Sequence, residues 1–236
     1  MIASERMYSD RSLFPRALSL AVHELRTPIT VASGYLRMLL REQAGPISDK
    51  QRKMLEETER SCGRIGALIS EMSELGKLEA DEVSVPAVSF DLAALVTEVA
   101  TGMHEDADRG IRLDVRATQP LPVNGDRTRL GAALKALVHA TMRERGEPGT
   151  VVVECTTVPS GTLTWAVVTI GDDTVSQALR DGAVATTPPA FDEWRGGVGL
   201  ALPVGRRVIE AHGGALWSAP EPRPRAGSAL RLPAAQ

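Results

Sequence analysis

The residues most able to do chemistry lie close together near the start of the chain. His23 is followed directly by Glu24, and Arg26 and Thr27 come within about one helical turn. A neutral imidazole nitrogen is a nucleophile near neutral pH, and an adjacent carboxylate can polarise or deprotonate it. This stretch therefore predicts a reactive histidine with a base beside it. The alternative interpretation is a solvated helix histidine without a chemical role.

The surrounding sequence predicts the helix that positions this histidine. Apolar residues recur in steps of four and three, which is the period of about 3.5 residues that marks a bundle seam. The seam residues are Leu18, Val22, Leu25, Ile29, Ala32, Leu36 and Leu39. Because His23 follows a seam residue, we expect it to face solvent, and we expect Pro28 to bend the helix just beyond it.

A second helix with the same rhythm follows a break at residues 43–48. Ser48 or Asp49 could cap this helix, which we expect to end near Leu78. Two such helices cannot bury broad apolar faces against each other alone. The pattern therefore predicts a helical hairpin that forms a four-helix bundle as a homodimer.

The rest of the chain alternates strand-like and helix-like segments, so the predicted fold class is α+β. A helix capped by Asp91, a helix over 128–143, strands over 151–155 and 163–170, and a glycine-rich loop before a last helix predict a sheet covered on one face by helices. The predicted domains are an N-terminal linker over 1–12, the hairpin over 13–80 and a second domain over 87–236, after an acidic, proline-containing linker.

Composition narrows the class of protein. The net charge of −3 and the 3% of aromatic residues argue against a nucleic-acid partner. No apolar run is long enough for a membrane segment and no signal peptide is recognisable, so we expect a cytoplasmic protein or the cytoplasmic portion of a larger receptor. Cys62 and Cys155 lie far apart, and we expect both to be ordinary free thiols.

The string His23-Glu24-Leu25-Arg26-Thr27-Pro28 resembles the phosphoacceptor box of the sensor histidine kinases of two-component systems. The resemblance implies that His23 takes the γ-phosphoryl group of ATP and passes it to an aspartate of a response regulator receiver domain. It also implies that Glu24 is the general base, that Thr27 positions the water for dephosphorylation, and that Arg26 helps to orient the site.

The second domain resembles the Bergerat-type ATP-binding domain of the same family, an α/β sandwich. Gly197-Val198-Gly199-Leu200 is similar to its Gly-x-Gly-Leu loop, and residues 210–217 are similar to the helix end and strand that follow. Glycines at a helix start allow close backbone approach to phosphate. The resemblance implies ATP as cofactor, with Gly197, Gly199 and Leu200 near its phosphates and Asp172 reading the adenine.

This domain departs from the family at two motifs. The positions of the paired asparagines that hold magnesium carry Ala136 and Ala140, which have no oxygen for a hard cation. After Asp172 the two glycines of the adenine motif are replaced, with Thr174 and Ser176 in that stretch, so an ordinary turn is the alternative interpretation of Asp172. No metal-ligating cluster is predicted, and we interpret His139 and His212 as structural, with Gly213 as the helix cap.

Three hypotheses follow. The first is an active, divergent histidine kinase that uses ATP and magnesium. The second is a histidine phosphotransferase or pseudokinase scaffold whose nucleotide domain no longer binds ATP. The third is a purely structural dimer.

Overall fold

The computed structural model describes residues 2–86, 88–103, 110–219 and 227–235, with the backbone alone for residues 2–12. The chain divides into two compact units, Met1–Val83 and Ser84–Gln236. The predicted helices before and after the acidic linker thus fall in different units.

The first unit is a hairpin of two long helices, α1 (Ile2–Leu40) and α2 (Asp49–Glu79). The residues expected as an N-terminal linker are continuous with α1, and the helix also runs unbroken through Pro28. Of the two candidate caps, the structure uses Ser48. Its side chain accepts from the backbone N–H of Gln51, whose own side chain accepts from the Ser48 backbone N–H. This reciprocal capping box fixes the point where α2 begins.

The two helices bury a narrow apolar seam against each other. Val22 and Leu36 on α1 and Ile69 and Leu78 on α2 are buried. Other predicted seam residues, such as Leu25, remain exposed within one chain. A single hairpin therefore covers only part of the apolar seam that its sequence encodes.

In its described residues the second unit contains seven strands, five of which form the main sheet, and four α-helices. Its strands are β1 (Ser89–Asp91), β2 (Ile111–Arg116), β3 (Pro122–Asn124), β4 (Gly149–Ser160), β5 (Leu163–Gly171), β6 (Ala215–Ser218) and β7 (Ser228–Pro233). Its helices are α3 (Leu92–Thr101), α4 (Arg127–Glu144), α5 (Asp173–Ala183) and α6 (Ala201–Ala211). The main sheet has the order β2-β4-β5-β7-β6, in which only the pair β2-β4 is parallel, while β1 and β3 form a separate ribbon.

Helices pack on both faces of this sheet. Gly214 is so close to Ile209 of α6 and Leu232 of β7 that a methyl group at Gly214 would lie 2.9 Å and 2.8 Å from their side chains. Ala229 of β7 instead joins the buried cluster formed by Val175 and Leu179 of α5. Because residues 229 and 232 point to opposite faces of a strand, α5 covers the face opposite α6. The expectation of a sheet covered on one face was wrong, since the sequence between residues 173 and 183 folds as a helix.

Candidate functional site

The imidazole of His23 stands out from α1 into solvent, as the sequence predicted. Its side chain is 80% exposed and that of Glu24 is 71% exposed. His23 Nδ1 lies 3.4 Å from Glu24 Oε1. Val22, directly before them, is buried in the hairpin and anchors the backbone that carries both side chains. The structure thus places a nucleophile and a carboxylate side by side on a well-packed helix.

Arg26 and Thr27 also lie on the exposed surface of α1. Thr27 is four residues from His23, so the two side chains share one face of the helix. Pro28 has no backbone N–H, which leaves the carbonyl group of Glu24 without its helical donor. Several exposed polar and charged side chains are therefore concentrated within about one turn of His23.

The glycine loop of the second unit leads into α6 as predicted. Gly196, Gly197 and Gly199 all have positive φ, at 68°, 58° and 69°. Leu200 precedes α6 and provides no side-chain cap for it. The backbone N–H groups at the start of a helix attract anions when no side chain satisfies them, so this geometry resembles that of a phosphate cradle.

Asp172 caps α5. Its Oδ1 accepts from the backbone N–H of Thr174 at 2.9 Å and from the Thr174 hydroxyl, and its Oδ2 lies 3.4 Å from Arg145 Nη1. Partial burial acts to raise the pKa of Asp172, but the hydrogen bonds from Thr174 and the Arg145 charge outweigh it and hold the pKa below its usual value. The carboxylate predicted to read adenine is thus engaged in capping a helix.

The positions aligned with the magnesium-binding asparagines are closed by packing. Ala136 and Ala140 are both buried on α4. A methyl group at Gly196 would lie 2.8 Å from both the Cα and Cβ atoms of Ala140, so the glycine loop rests directly on α4. In the described part of the chain no three His, Cys, Asp or Glu side chains form a metal-binding group. These residues do not fit a magnesium site of the family's kind.

Sequence reasoning missed a buried ion pair beside the loop. Arg195 Nη2 lies 2.7 Å from Glu144 Oε2, and the Arg195 side chain is only 5% exposed. Arg195 also donates to the Thr141 hydroxyl and to the Gly227 carbonyl group. No local pattern in the sequence distinguishes this arginine from a solvated one, because its partners lie 32 to 54 residues away.

His212 has a structural role, as expected. Its Nε2 accepts from the Asp126 backbone N–H at 2.9 Å while Nδ1 lies 2.7 Å from the Val208 carbonyl oxygen, so the neutral ring with its proton on Nδ1 satisfies both contacts. Gly213, at φ 72°, and Gly214 then close the helix with hydrogen bonds to Glu210 and Ile209. This is the Schellman arrangement that the glycine pair predicted.

The two cysteines show no sign of catalytic chemistry. Both are free and neither is fully exposed. Burial, followed by the nearby charges of Asp91 and Glu154, raises the pKa of the Cys155 thiol to about 12. A thiol with so high a pKa is protonated and unreactive near neutral pH.

An apolar groove of about 480 Å³ lies between α3 and β2. Its lining consists of Thr97, Ala100, Thr101, Met103, Ile111, Leu113, Val115 and Met142. Among the described residues, no charged side chain belongs to this lining.

Comparison with known proteins identifies the first unit. Residues 16–81 match the His Kinase A (phospho-acceptor) domain family. The chain is also 27% identical over 223 residues to the signal transduction histidine-protein kinase BarA of Escherichia coli strain K12, covering 90% of this chain and 24% of BarA. Residues 16–81 thus match the phospho-acceptor domain family, and over most of its length the chain is similar to histidine kinases. It spans about a quarter of the length of the curated relatives that it matches.

Solved histidine kinases share the fold of both units. Full-length ShkA, crystallised in complex with AMPPNP, aligns with a TM-score of 0.70 at 21% identity over 94% of this chain and 46% of ShkA. The Acinetobacter baumannii histidine kinase AdeS aligns with a TM-score of 0.56 at 19% identity over 90% of this chain and 97% of AdeS. The predicted fold class, a helical hairpin followed by an α/β sandwich of the histidine kinase ATPase type, is therefore confirmed. No helix in the described residues is long and apolar enough to span a membrane.

Proposed function

We propose that this histidine kinase core works by phosphoryl transfer through His23 to an aspartate of a receiver domain. The observation that carries the proposal is the 80% exposed imidazole with Glu24 Oε1 at 3.4 Å from Nδ1. An exposed histidine on a rigid helix is open to phosphoryl donors and acceptors that arrive in turn. A structural histidine needs no such access.

The two ring nitrogens have different tasks in this proposal. With Glu24 Oε1 at 3.4 Å from Nδ1, the proposed tautomer has its proton on Nδ1 and Nε2 as the nucleophile. When Nε2 attacks a phosphoaspartate, the N–P bond forms as the acyl P–O bond breaks, and the aspartate leaves as a carboxylate. The Nδ1 proton passes to Glu24, which leaves an uncharged ring that bears the anionic phosphoryl group. The reverse sequence delivers the phosphoryl group to an acceptor aspartate.

The phosphoryl donor that fits this structure best is a phosphorylated receiver domain. Asp172 is engaged in capping α5, Ala136 and Ala140 offer no metal ligand, and the glycine loop packs onto α4. These features support the phosphotransferase hypothesis over a metal-dependent transfer from ATP.

Autophosphorylation from ATP is the second candidate function. It is favoured by the uncapped start of α6 behind three glycines with positive φ. ATP would supply the γ-phosphoryl group. The chain itself would contribute backbone N–H groups to its phosphates at residues 197–199, and Arg143 lies beside Gly197.

The hairpin supports a homodimer as the working form. Leu25, a predicted seam residue of α1, and the apolar residues Ile65 and Leu68 of α2 are 45%, 45% and 39% exposed in one chain. A second hairpin would bury these side chains in a four-helix bundle. The partners proposed for the chain are thus a second copy and a receiver domain.

The experiment compares two labelled donors on the purified chain. In one arm, receiver domains from the source genome are first phosphorylated (charged) with labelled acetyl phosphate. In the other arm, labelled ATP with MgCl₂ is the donor. We expect acid-labile label from a charged receiver on the wild type and on the matched control His139→Gln, and none on His23→Gln.

Two outcomes would count against the proposal. Equal labelling of His23→Gln and the wild type would remove His23 as the acceptor. Labelling from ATP without labelling from any charged receiver would replace phosphotransfer from a receiver domain with autophosphorylation from ATP as the proposed function.

A further inference from the structure

The glycine loop of the second unit is tied to α4 by a buried side chain. Arg195, in the single 3-10 turn Arg195–Gly197 before α6, pairs with Glu144 at 2.7 Å and donates to the Thr141 hydroxyl at 3.2 Å. Its other terminal nitrogen donates to the carbonyl group of Gly227. One guanidinium group thus joins the loop, the last turn of α4 and the residue before β7.

This ion pair stabilises charges that would otherwise be unfavourable. Glu144 is the last residue of α4, where a carboxylate opposes the helix dipole. Arg195 is buried, and a buried guanidinium is tolerated only when it is paired and hydrogen-bonded. The ion pair is therefore the charged part of the contact between the loop and α4, and removal of either side chain weakens this contact.

The loop backbone is in contact with α4 as a result. Gly196 adopts φ 68° and lies so close to Ala140 that a methyl group would meet its Cα atom at 2.8 Å. No ligand can fit between Gly196 and α4 while this contact holds. Directly beyond it lie the positive-φ residues Gly197 and Gly199 and the uncapped start of α6.

We propose that the Arg195–Glu144 ion pair is a latch that holds the glycine loop shut against α4, and that a nucleoside triphosphate binds only when the latch opens. The proposal rests on the second candidate function, binding of ATP by this unit. Its failure would leave phosphotransfer through His23 from a receiver domain unaffected.

The test measures the dissociation constant for ATP, with and without MgCl₂, by isothermal titration calorimetry on the full chain. Glu144→Ala removes the latch carboxylate and keeps the hydrogen bonds of Arg195 to Thr141 and Gly227. Glu144→Gln retains a neutral acceptor for Arg195. We expect affinity to rise at least about tenfold in Glu144→Ala and by less in Glu144→Gln.

A control removes an exposed ion pair at the other end of the same helix. Glu98 of α3 pairs with Arg127 at the start of α4, away from the glycine loop, so Glu98→Ala should leave ATP affinity within about twofold of the wild type. Gly196→Ala opens the contact from the loop side, because its methyl group cannot share space with Ala140. It should also bind ATP more tightly than the wild type.

Amide hydrogen exchange gives a readout independent of ligand. Release of the latch should speed exchange at residues 197–200 in Glu144→Ala and leave exchange in β5 unchanged, which also shows that the variant is folded. The latch is overturned if the wild type binds ATP as tightly as Glu144→Ala. It is equally overturned if no variant binds ATP, since the loop would then be closed for a reason other than this ion pair.

Discussion

At the scale of single residues, contacts between sequence neighbours could be predicted, whereas contacts between residues far apart in the sequence could not. His23 and Glu24 are adjacent and follow the seam residue Val22, which already indicated an exposed pair, and the structure places them in solvent with Nδ1 and Oε1 3.4 Å apart. Arg195 gave no such signal, because its burial depends on Glu144, Thr141 and Gly227. Asp172 was recognised as special, but its hydrogen bonds to Thr174 show a helix cap.

The role proposed for Glu24 predicts a kinetic defect without loss of the acceptor. Glu24→Gln keeps an oxygen near Nδ1 but cannot take its proton, so phosphorylation of His23 should slow by about 10²-fold. The rate of label transfer from a charged receiver measures this directly. Glu56→Gln, an exposed glutamate on α2, serves as control and should keep the wild-type rate. Equal rates for Glu24→Gln and wild type would show that Glu24 is not the proton acceptor.

Asp126 predicts a pH-dependent contribution to stability. Hydrogen bonding from the Arg129 backbone N–H, helped by the Arg129 side chain and Thr128, lowers the pKa of Asp126 despite its partial burial. A carboxylate whose pKa is lowered in the folded state adds stability above the unfolded pKa of about 3.9, and this stability is lost as pH falls through the folded pKa.

Asp126→Ala should therefore reduce the free energy of unfolding by about 1 kcal/mol at pH 7. The difference from the wild type should narrow below about pH 4. Urea denaturation of both proteins at several pH values measures this difference in the free energy of unfolding. A difference that stays constant from pH 7 to pH 3 would contradict the assignment of the effect to the ionised carboxylate.

At the scale of elements, the sequence predicted the hairpin and most of the sheet but missed α5. The hairpin follows from a long, regular seam and from the two candidate caps Ser48 and Asp49, of which the structure uses Ser48. The segment 173–183 was interpreted through the family's adenine motif, which hid its own helical signals. These signals are the cap at Asp172 and the apolar spacing of Val175, Leu179 and Ala183. The resemblance to the histidine kinase adenine motif was thus misleading at the segment where this chain departs from that motif.

The packing of α5 on the second face of the sheet predicts a large stability effect. Leu179 is fully buried beside Trp217, whose indole N–H donates to the Leu179 carbonyl group at 3.0 Å. Leu179→Ala should reduce the free energy of unfolding by about 2 to 5 kcal/mol. Val184→Ala, at a 57% exposed position just after α5, should change it by no more than about 0.5 kcal/mol. Chemical denaturation followed by tryptophan fluorescence compares them, and a small effect of Leu179→Ala would mean that α5 is not packed on the sheet.

At the scale of the whole molecule, the chain combines a hairpin that carries an exposed histidine with an α/β unit whose glycine loop is packed shut. The hairpin leaves apolar seam positions exposed, which one chain alone cannot cover. The pattern of apolar residues and of helix-like and strand-like segments along the chain could predict two domains and a homodimer. The closure of the glycine loop could not be predicted, because it depends on contacts between α4, the loop and the start of β7.

The uncovered seam predicts that the chain is a dimer in solution. Ile65→Glu places a charge in the expected bundle core and should shift the mass measured by light scattering from two chains toward one at micromolar concentration. Leu163→Glu, at a 53% exposed position in the second unit, should remain dimeric. A wild-type chain that scatters as a monomer at that concentration would contradict the bundle.

The central claim is that His23 carries the phosphoryl group, and phosphorus NMR of the chain after reaction with a charged receiver tests it most directly. The account predicts one phosphoramidate signal, assigned to Nε2 of His23, that disappears on acidification and is absent from His23→Gln. A phosphoryl group that survives acid, or one that remains in His23→Gln, would contradict it.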